Sequence, residues 1–129
     1  MVDSKIQDSI LLATKKSLGL EPEITDFDSD IIMCINTALN ILTQLGIGPN
    51  DGFTVVSEEE TWDDFLGKDK RLNMAKTYVF MKTRIIFDGQ GMGNALLTAY
   101  QEQCKELEVR LNYQVDPIHA FDRDNVDDS

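Results

Sequence analysis

The segment "DSDIIMCINTALNILTQLGIGP", residues 28–49, constrains the fold of this chain more than any other. Its apolar residues recur at three- and four-residue spacing, which predicts one face of an α-helix: Ile31, Ile35, Ala38, Leu42 and Leu45. Four further apolar residues widen this face: Ile32, Cys34, Leu39 and Ile41. A helix that is apolar on more than one side lies at the centre of a core or is shared with a partner.

The ends of this helix are marked by residue types that start and stop helices. Asp28 is predicted to be the N-cap, because a carboxylate there can accept a hydrogen bond from a free backbone N–H group. Gly46 supplies the left-handed residue that ends a helix, and Gly48-Pro49 prevents continuation.

Three more segments carry the helical pattern. A first helix is predicted from Lys5 to Leu18, with Ser4 as its N-cap and Gly19 at its end. Another follows Asp69 and runs through Phe87, with apolar lines that include Ala75, Val79 and Ile86 and, beside them, Tyr78 and Met81. The last runs from about Ala95 to Asn112, with a seam at Leu97, Tyr100, Cys104, Leu107 and Leu111.

These elements predict a mainly α fold, a small bundle of about four to five helices. Phe53 to Val56 is predicted to be a short extended segment, too brief to found a sheet. From Val115 the periodicity ends and aspartate becomes frequent, which predicts a flexible acidic C-terminal arm. The expected organisation is therefore a helical domain over residues 1–114 and an arm over residues 115–129.

The stretch "TWDDFLG", residues 61–67, places the single tryptophan beside two aspartates. Thr61 and Asp64 have the spacing of a capping box, in which each side chain accepts a hydrogen bond from the other residue's backbone N–H group. Gly67 would end the turn, and Trp62 and Phe65 would pack on the core. A capped helical turn is therefore favoured over a catalytic pair of carboxylates.

The net charge of −11 is unevenly distributed. Residues 1–60 hold 11 acids and 3 bases, residues 61–114 hold 7 and 8, and residues 115–129 hold 5 and 1. The bases of the middle segment make it locally basic, and Lys76, Lys82 and Arg84 are predicted interface residues. Because a net anion gains little from binding phosphate, complementary segments favour an intersubunit contact over tight nucleic-acid binding.

Motifs that would indicate chemistry are incomplete. "DFDSD" resembles the start of a calcium loop, but Ile31 and Thr37 stand where glycine and a bidentate glutamate are required. "GQGMGN" lacks the strand that precedes a dinucleotide loop, and His119 lies in the sparse arm without a partner in the sequence. The cysteines, Cys34 and Cys104, are expected to be buried. No catalytic residue, metal site or cofactor is predicted.

No apolar run is long enough to span a membrane, and the N-terminus lacks the pattern of a secretory signal. The chain is therefore expected in the cytosol or in a particle assembled there, without membrane association.

Several stretches, in this order, resemble the head-tail connector proteins of tailed phages. They are "FDSDIIMCINTALNILTQLGIGPNDGF", "TWDDFLG", "KTYVFMKTRIIFD" and "ELEVRLN", and the resemblance covers Ile10 to Asp116. Two positions depart from the family pattern. Gly89, Gln90 and Gly91 follow Asp88 where relatives commonly have consecutive prolines, and Val109 stands where relatives often have tryptophan.

The resemblance implies a structural virion protein in the neck of the particle, assembled in the host cytoplasm. It implies a ring of subunits, expected to be dodecameric, that binds beneath the portal protein and extends the DNA channel. Stopper or tail-completion proteins would dock on the ring, and genomic DNA would pass through without specific binding. Ile118 and Phe121 are candidate anchors of the arm toward the portal or a neighbour.

An alternative from another class is a small cytosolic regulatory or protein-interaction module. It would use a groove between the second and the last predicted helices.

Overall fold

A computed structural model describes residues 2–115, and these residues fold into helices and loops without a β-strand. The helices are α1 (Val2–Asp8), α2 (Ile10–Ser17), α3 (Asp28–Gln44), α4 (Trp62–Leu66), α5 (Leu72–Asp88) and α6 (Asn94–Val115). A single 3-10 turn, Gly89–Gly91, joins α5 to α6. The predicted mainly α bundle is confirmed.

Helix α5 is the centre of the bundle, because it packs against both α3 and α6. Phe27, just before α3, meets Phe87 near the end of α5 edge to face with ring centroids 5.8 Å apart, so α3 and α5 are antiparallel. The Tyr78 hydroxyl of α5 donates a hydrogen bond to Glu108 of α6 at 2.7 Å. Arg84 of α5 contacts Tyr100, earlier in α6, which makes this pair antiparallel as well.

The core forms mainly between α3 and α5. Its fully buried members include Ile31, Ile35, Ala38, Leu39 and Leu42 from α3 and Ala75, Tyr78 and Val79 from α5. The predicted apolar face of α3 is therefore the core-facing side, with Leu45 half-buried at its end. Ile86, predicted to continue the α5 line, is 46% exposed because it lies in the last turn of the helix, beyond most of the core.

The predicted single helix from Lys5 to Leu18 is wrong, because the chain breaks at Ser9. Ser9 has an extended backbone and caps α2 by accepting a hydrogen bond from the Leu12 N–H group. The Ile10 N–H group donates to the carbonyl of Glu60, so the break is held by a distant segment. The proposed cap at Ser4 is also wrong, because α1 begins at Val2. Gly19 follows the end of α2 in the left-handed conformation, as predicted.

The prediction that Asp28 is the N-cap of α3 is wrong, because Asp28 is the first helical residue and Phe27 occupies the cap without a side-chain bond. The Asp28 carboxylate instead lies 2.9 Å from the buried Nζ of Lys15. That ammonium also donates to the carbonyl of Pro22. The contact between Lys15 and Asp28 is an ion pair rather than a directed hydrogen bond, since the Asp28 Oδ1 atom lacks hydrogen-bond geometry. It ties α2 and the following connector to α3.

The end of α3 follows the predicted stop. Gly46 has a φ of +85°, its N–H group donates to Thr43, and the Ile47 N–H group donates back to Leu42. This is the Schellman arrangement, which satisfies carbonyls that the helix end would otherwise leave free. Ile47 is thereby fully buried against the core.

The segment from Phe53 to Val56 is not a strand in the described structure. Val55 in this segment is held by one side chain: the Asn36 amide accepts a hydrogen bond from the Val55 N–H group and donates one to the Val55 carbonyl. Asn36 therefore supplies to a buried loop residue the two hydrogen bonds that a neighbouring strand would give.

Helix α5 begins later than predicted, at Leu72, and Asp69 instead accepts a hydrogen bond from the Arg71 N–H group. Helix α6 extends to Val115, and within its predicted seam Cys104 and Leu111 are buried. The division into a domain and an arm stays a prediction, because residues 116–129 lie outside the described part of the chain.

Candidate assembly surfaces

The "TWDDFLG" stretch forms a capped helical turn. The Thr61 hydroxyl accepts a hydrogen bond from the Asp64 N–H group at 3.0 Å, and the Asp64 carboxylate accepts one from the Thr61 N–H group at 3.3 Å. Gly67 ends the turn and donates to the carbonyl of Asp63. The Asp64 carboxylate thus has a structural partner, which fits the capping interpretation.

Trp62 packs inside its own subunit. It is 2% exposed, and its ring meets Phe80 edge to face at 5.6 Å. The Lys76 ammonium lies 5.4 Å from the ring centroid, a distance at which a cation is attracted to the aromatic face. The indole Nε1 atom is buried with no hydrogen-bond partner in the described structure. Trp62 therefore joins α4 to α5.

The predicted interface residues on α5 also have contacts within the subunit. Arg84 donates a hydrogen bond to the Tyr100 hydroxyl at 3.3 Å and stacks over that ring at 5.5 Å. Burial raises the pKa of the Cys104 thiol, and the nearby charge of Lys82 partly opposes this rise. Lys76, Lys82 and Arg84 are each half-buried. Ile118 and Phe121 lie outside the described residues.

Sequence patterns did not identify an exposed apolar surface at the end of the bundle where α3 begins and α5 ends. Met33 is 69% exposed, Ile86 46% and Phe27 44%. Met33 and Ile86 flank a cavity of about 370 Å³ that is also lined by Asp30 and Phe87. We call this the acidic-apolar surface: Phe27, Asp30, Met33, Ile86 and Phe87. The sequence feature that could have indicated this surface is Met33, an apolar residue on the polar side of α3.

The opposite end of α5 carries a basic loop, residues 67–71. Lys68 and Lys70 are exposed and make no ion pair with the described residues. Arg71 instead pairs with Asp69, which accepts hydrogen bonds from both its guanidinium and its backbone N–H group. These bonds lower the pKa of Asp69 to about 2. The free positive charge of the loop therefore belongs to Lys68 and Lys70.

Asp69→Asn should lower the free energy of unfolding at neutral pH by about 1 kcal/mol, since a partly exposed pair is screened by solvent. The pKa of Asp69 is depressed from 3.8 to about 2, so its stabilisation is present above pH 4 and is lost between about pH 4 and pH 2. Urea unfolding at several pH values would show the wild type and the variant converging in acid. Asp51→Asn, in an exposed loop, is the matched control, and a difference that persists at pH 2 would contradict the assignment.

The acidic-apolar surface and the basic loop lie at opposite ends of one helix. Helix α5 has 17 residues, which corresponds to a length of about 25 Å. Acidic and apolar groups gather at its C-terminal end, and two lysines precede its N-terminal end. The two ends are chemically different and electrostatically complementary.

Residues 2–115 contain no group of three or more histidine, cysteine, aspartate or glutamate side chains placed to hold a metal ion. No helix in this range is long and apolar enough to cross a membrane. The described residues form a small helical bundle with two chemically different surfaces at the ends of α5.

The phage connector protein family matches residues 10–117, most of the chain, and the chain belongs to this family. The match confirms the resemblance drawn from the motifs and supports a role at the junction of phage head and tail. Connector proteins of this kind are structural and non-enzymatic, interact with other head and tail proteins, and are found in the virion neck. No curated protein and no solved structure matches the chain significantly.

Proposed function

We propose that this chain is the repeating subunit of a connector ring that binds beneath the portal protein and extends the DNA channel. Stopper or tail-completion proteins dock on the far side of the ring, which has the symmetry of the portal and is dodecameric. The ring assembles in the host cytoplasm and becomes part of the virion neck. The single observation that carries the proposal is the pair of different, complementary surfaces at the two ends of α5.

Two different surfaces on one subunit suit a head-to-tail contact. In such a contact one surface of each copy meets the different surface of the next copy. The copies form a closed ring when the rotation that relates neighbouring copies closes after a whole number of subunits. The acidic-apolar surface offers Met33 and Ile86 for burial and Asp30 for pairing. The basic loop offers Lys68 and Lys70. We therefore place the acidic-apolar surface of each copy against the basic loop of its neighbour.

The net charge of −11 suits passage of DNA through such a ring. Carboxylates that line a channel repel phosphates, so the genome passes without adhering. Lys76, Lys82 and Arg84 remain proposed intersubunit residues, with Lys82 the best candidate because the other two also serve intramolecular aromatic contacts. Ile118 and Phe121 remain proposed anchors of the arm.

The alternative of a regulatory module depended on a groove between the second and last predicted helices. These helices are α3 and α6, and α5 packs against both of them. The core side of α3 is thus occupied by α5. The structure gives the alternative no separate support.

The proposed contact predicts that Met33→Lys weakens ring formation while the subunit remains folded. Met33 is mostly exposed, so an ammonium group there costs little in the free subunit, but in the contact it would face the like charges of Lys68 and Lys70 on the next copy. We expect at least a tenfold loss of assembly affinity, measured by analytical ultracentrifugation and by negative-stain imaging with purified portal. Val109→Lys is the matched control, because Val109 is 65% exposed on α6.

Charge exchange tests the pairing directly. Asp30→Lys and Lys70→Glu should each weaken assembly, and the double variant should recover much of the loss if the two residues face each other across the contact. Normal rings from Met33→Lys, or a wild-type protein that neither self-associates nor binds portal, would contradict the proposed function.

A further inference from the structure

A second surface groove lies between the N-terminal helices and α5, away from the acidic-apolar surface. It has a volume of about 330 Å³, and its apolar wall is formed by Ile6 of α1, Ala13 of α2 and Phe80 of α5. Lys16 and Lys76 also line it, so positive charges accompany the apolar wall. The groove therefore suits a segment that carries both apolar side chains and carboxylates.

The acidic residues Glu58, Glu59 and Glu60 lie near these helices, but their carboxylates contact other groups. The groove therefore keeps its positive charge. Glu58 and Glu59 lie within 4 Å of the Lys5 ammonium, at 3.2 and 3.8 Å. Glu60 accepts hydrogen bonds from the backbone N–H groups of Val56 and Ser57, and these bonds lower the pKa of its carboxyl group. The lining of the groove itself includes no carboxylate.

The sequence that follows α6 has the composition that such a groove selects. Residues 116–129, "DPIHAFDRDNVDDS", contain five aspartates and one arginine. Ile118 and Phe121 are the large apolar residues before the aspartate-rich stretch, and their spacing matches an apolar contact followed by ionic ones. The segment extends beyond the region matched by the connector family, which ends at residue 117.

The end of α6 lies close enough for this segment to reach the groove of its own chain. Since Glu108 meets Tyr78 in an antiparallel pair, Val115 lies level with the start of α5. Lys76 lies about 8 Å further along α5, at 1.5 Å per residue. Ile118 and Phe121 can extend about 10 and 20 Å beyond Val115, enough to pass around one helix. A tethered segment has an effective concentration in the millimolar range, which favours binding within the chain.

We propose that the groove between α1, α2 and α5 is a docking site for residues 116–129 of the same chain. Ile118 and Phe121 pack on Ile6, Ala13 and Phe80, and the following aspartates pair with Lys16 and Lys76. The bound segment covers an apolar groove of the free subunit. This inference concerns the free subunit, and Ile118 and Phe121 must leave the groove before they can anchor the arm to the portal or to a neighbour.

Zero-length carbodiimide cross-linking of the full-length protein tests the proposal. This reagent joins a lysine amine to a carboxylate only when the two are in contact, and peptide mass spectrometry identifies the pair. Links from Asp122 and Asp124 to Lys16 and Lys76 should dominate over links to Lys68 and Lys70, after each lysine is normalised for its reactivity toward a general amine label. Mixing ordinary protein with heavy-nitrogen protein identifies the source, and links within one isotope only are expected.

Ile118→Ser with Phe121→Ser should reduce the Lys16 and Lys76 links about tenfold or more, because two apolar side chains lose their burial. The intrinsic fluorescence of Trp62 should change in the same variant, since Lys76 and Phe80 both contact its ring. Circular dichroism checks that the fold is retained. Aspartate links spread evenly over all lysines, links between isotopes, or links unchanged in the double variant would overturn the proposal.

Discussion

Trp62→Ala should lower the free energy of unfolding by about 3 to 5 kcal/mol, the range for removing a buried large aromatic side chain. Trp62 is 2% exposed and belongs to the central core cluster. Its loss would leave a cavity between α4 and α5 and remove the edge-to-face contact with Phe80. It would also remove the interaction with Lys76, which adds about 0.5 to 1 kcal/mol. Chemical unfolding followed by circular dichroism measures the change.

Two variants control this measurement. Trp62→Phe keeps most of the buried apolar surface and loses no hydrogen bond in the described structure, so its effect should be well under half that of alanine. Val56→Ala shortens a side chain in the preceding loop that is 70% exposed, and should change stability by less than about 0.5 kcal/mol. If Trp62→Ala were as mild as Val56→Ala in the isolated subunit, the ring would not be part of the subunit core.

Gly48→Ala should lower the free energy of unfolding by about 3 kcal/mol, because strain and overlap act at the same position. Gly48 has a φ of +92°, a backbone conformation that residues other than glycine rarely adopt. A Cβ atom there would lie 2.5 Å from Cε1 of Phe65. Phe65 cannot move away easily, since it is 2% exposed and packs against Phe53 at a ring distance of 5.5 Å.

Gly19→Ala is the matched control for Gly48→Ala. Gly19 has a similar φ of +81°, but a Cβ atom there would meet nothing within 4 Å. Gly19→Ala should therefore show only the backbone cost, about 1 kcal/mol. The difference between the two variants, measured by the same unfolding experiment, isolates the contact with Phe65. Equal losses would show that backbone conformation alone accounts for the role of Gly48.

The sequence predicted features that depend on near neighbours in the chain. Three such features were predicted correctly: the apolar periodicity of α3, the glycine stop at Gly46, and the capping box of Thr61 and Asp64. Each depends on helical spacing or on a bond between residues three to five positions apart, so a linear pattern is enough to show it.

Two of the failures have a common cause, since in each a distant residue supplied the decisive interaction. Ser4 looked like a helix cap, but the helix breaks at Ser9, where Ile10 bonds to Glu60. Asp28 looked like a cap, but Lys15 lies beside its carboxylate. The prediction of a short extended segment at Phe53 to Val56, too brief to found a sheet, holds, but only the fold shows that Asn36 of α3 provides the hydrogen bonds of Val55.

For the candidate surfaces, too, some features could be predicted from the sequence and others depended on the fold. The charge asymmetry and the basic residues could be counted in the sequence, and the motifs led to the connector family. The exposure of Met33 and Ile86 could not be predicted, because it depends on where α5 ends relative to α3. Likewise, Lys76 and Arg84 were predicted as interface residues from the sequence, and only the fold shows that Trp62 and Tyr100 lie beside them in the same subunit.

By itself the sequence determined the helical class, the main helices, the capped turn around Trp62 and the family. Local hydrogen bonds and apolar periodicity specify these features before the chain has folded. Only the tertiary structure decided that Trp62 packs within its own subunit, that Phe65 closes against Gly48 and that complementary surfaces lie at the two ends of α5. Such features arise when segments far apart in the chain exclude water together, and no spacing within one segment records which partner each side chain will meet.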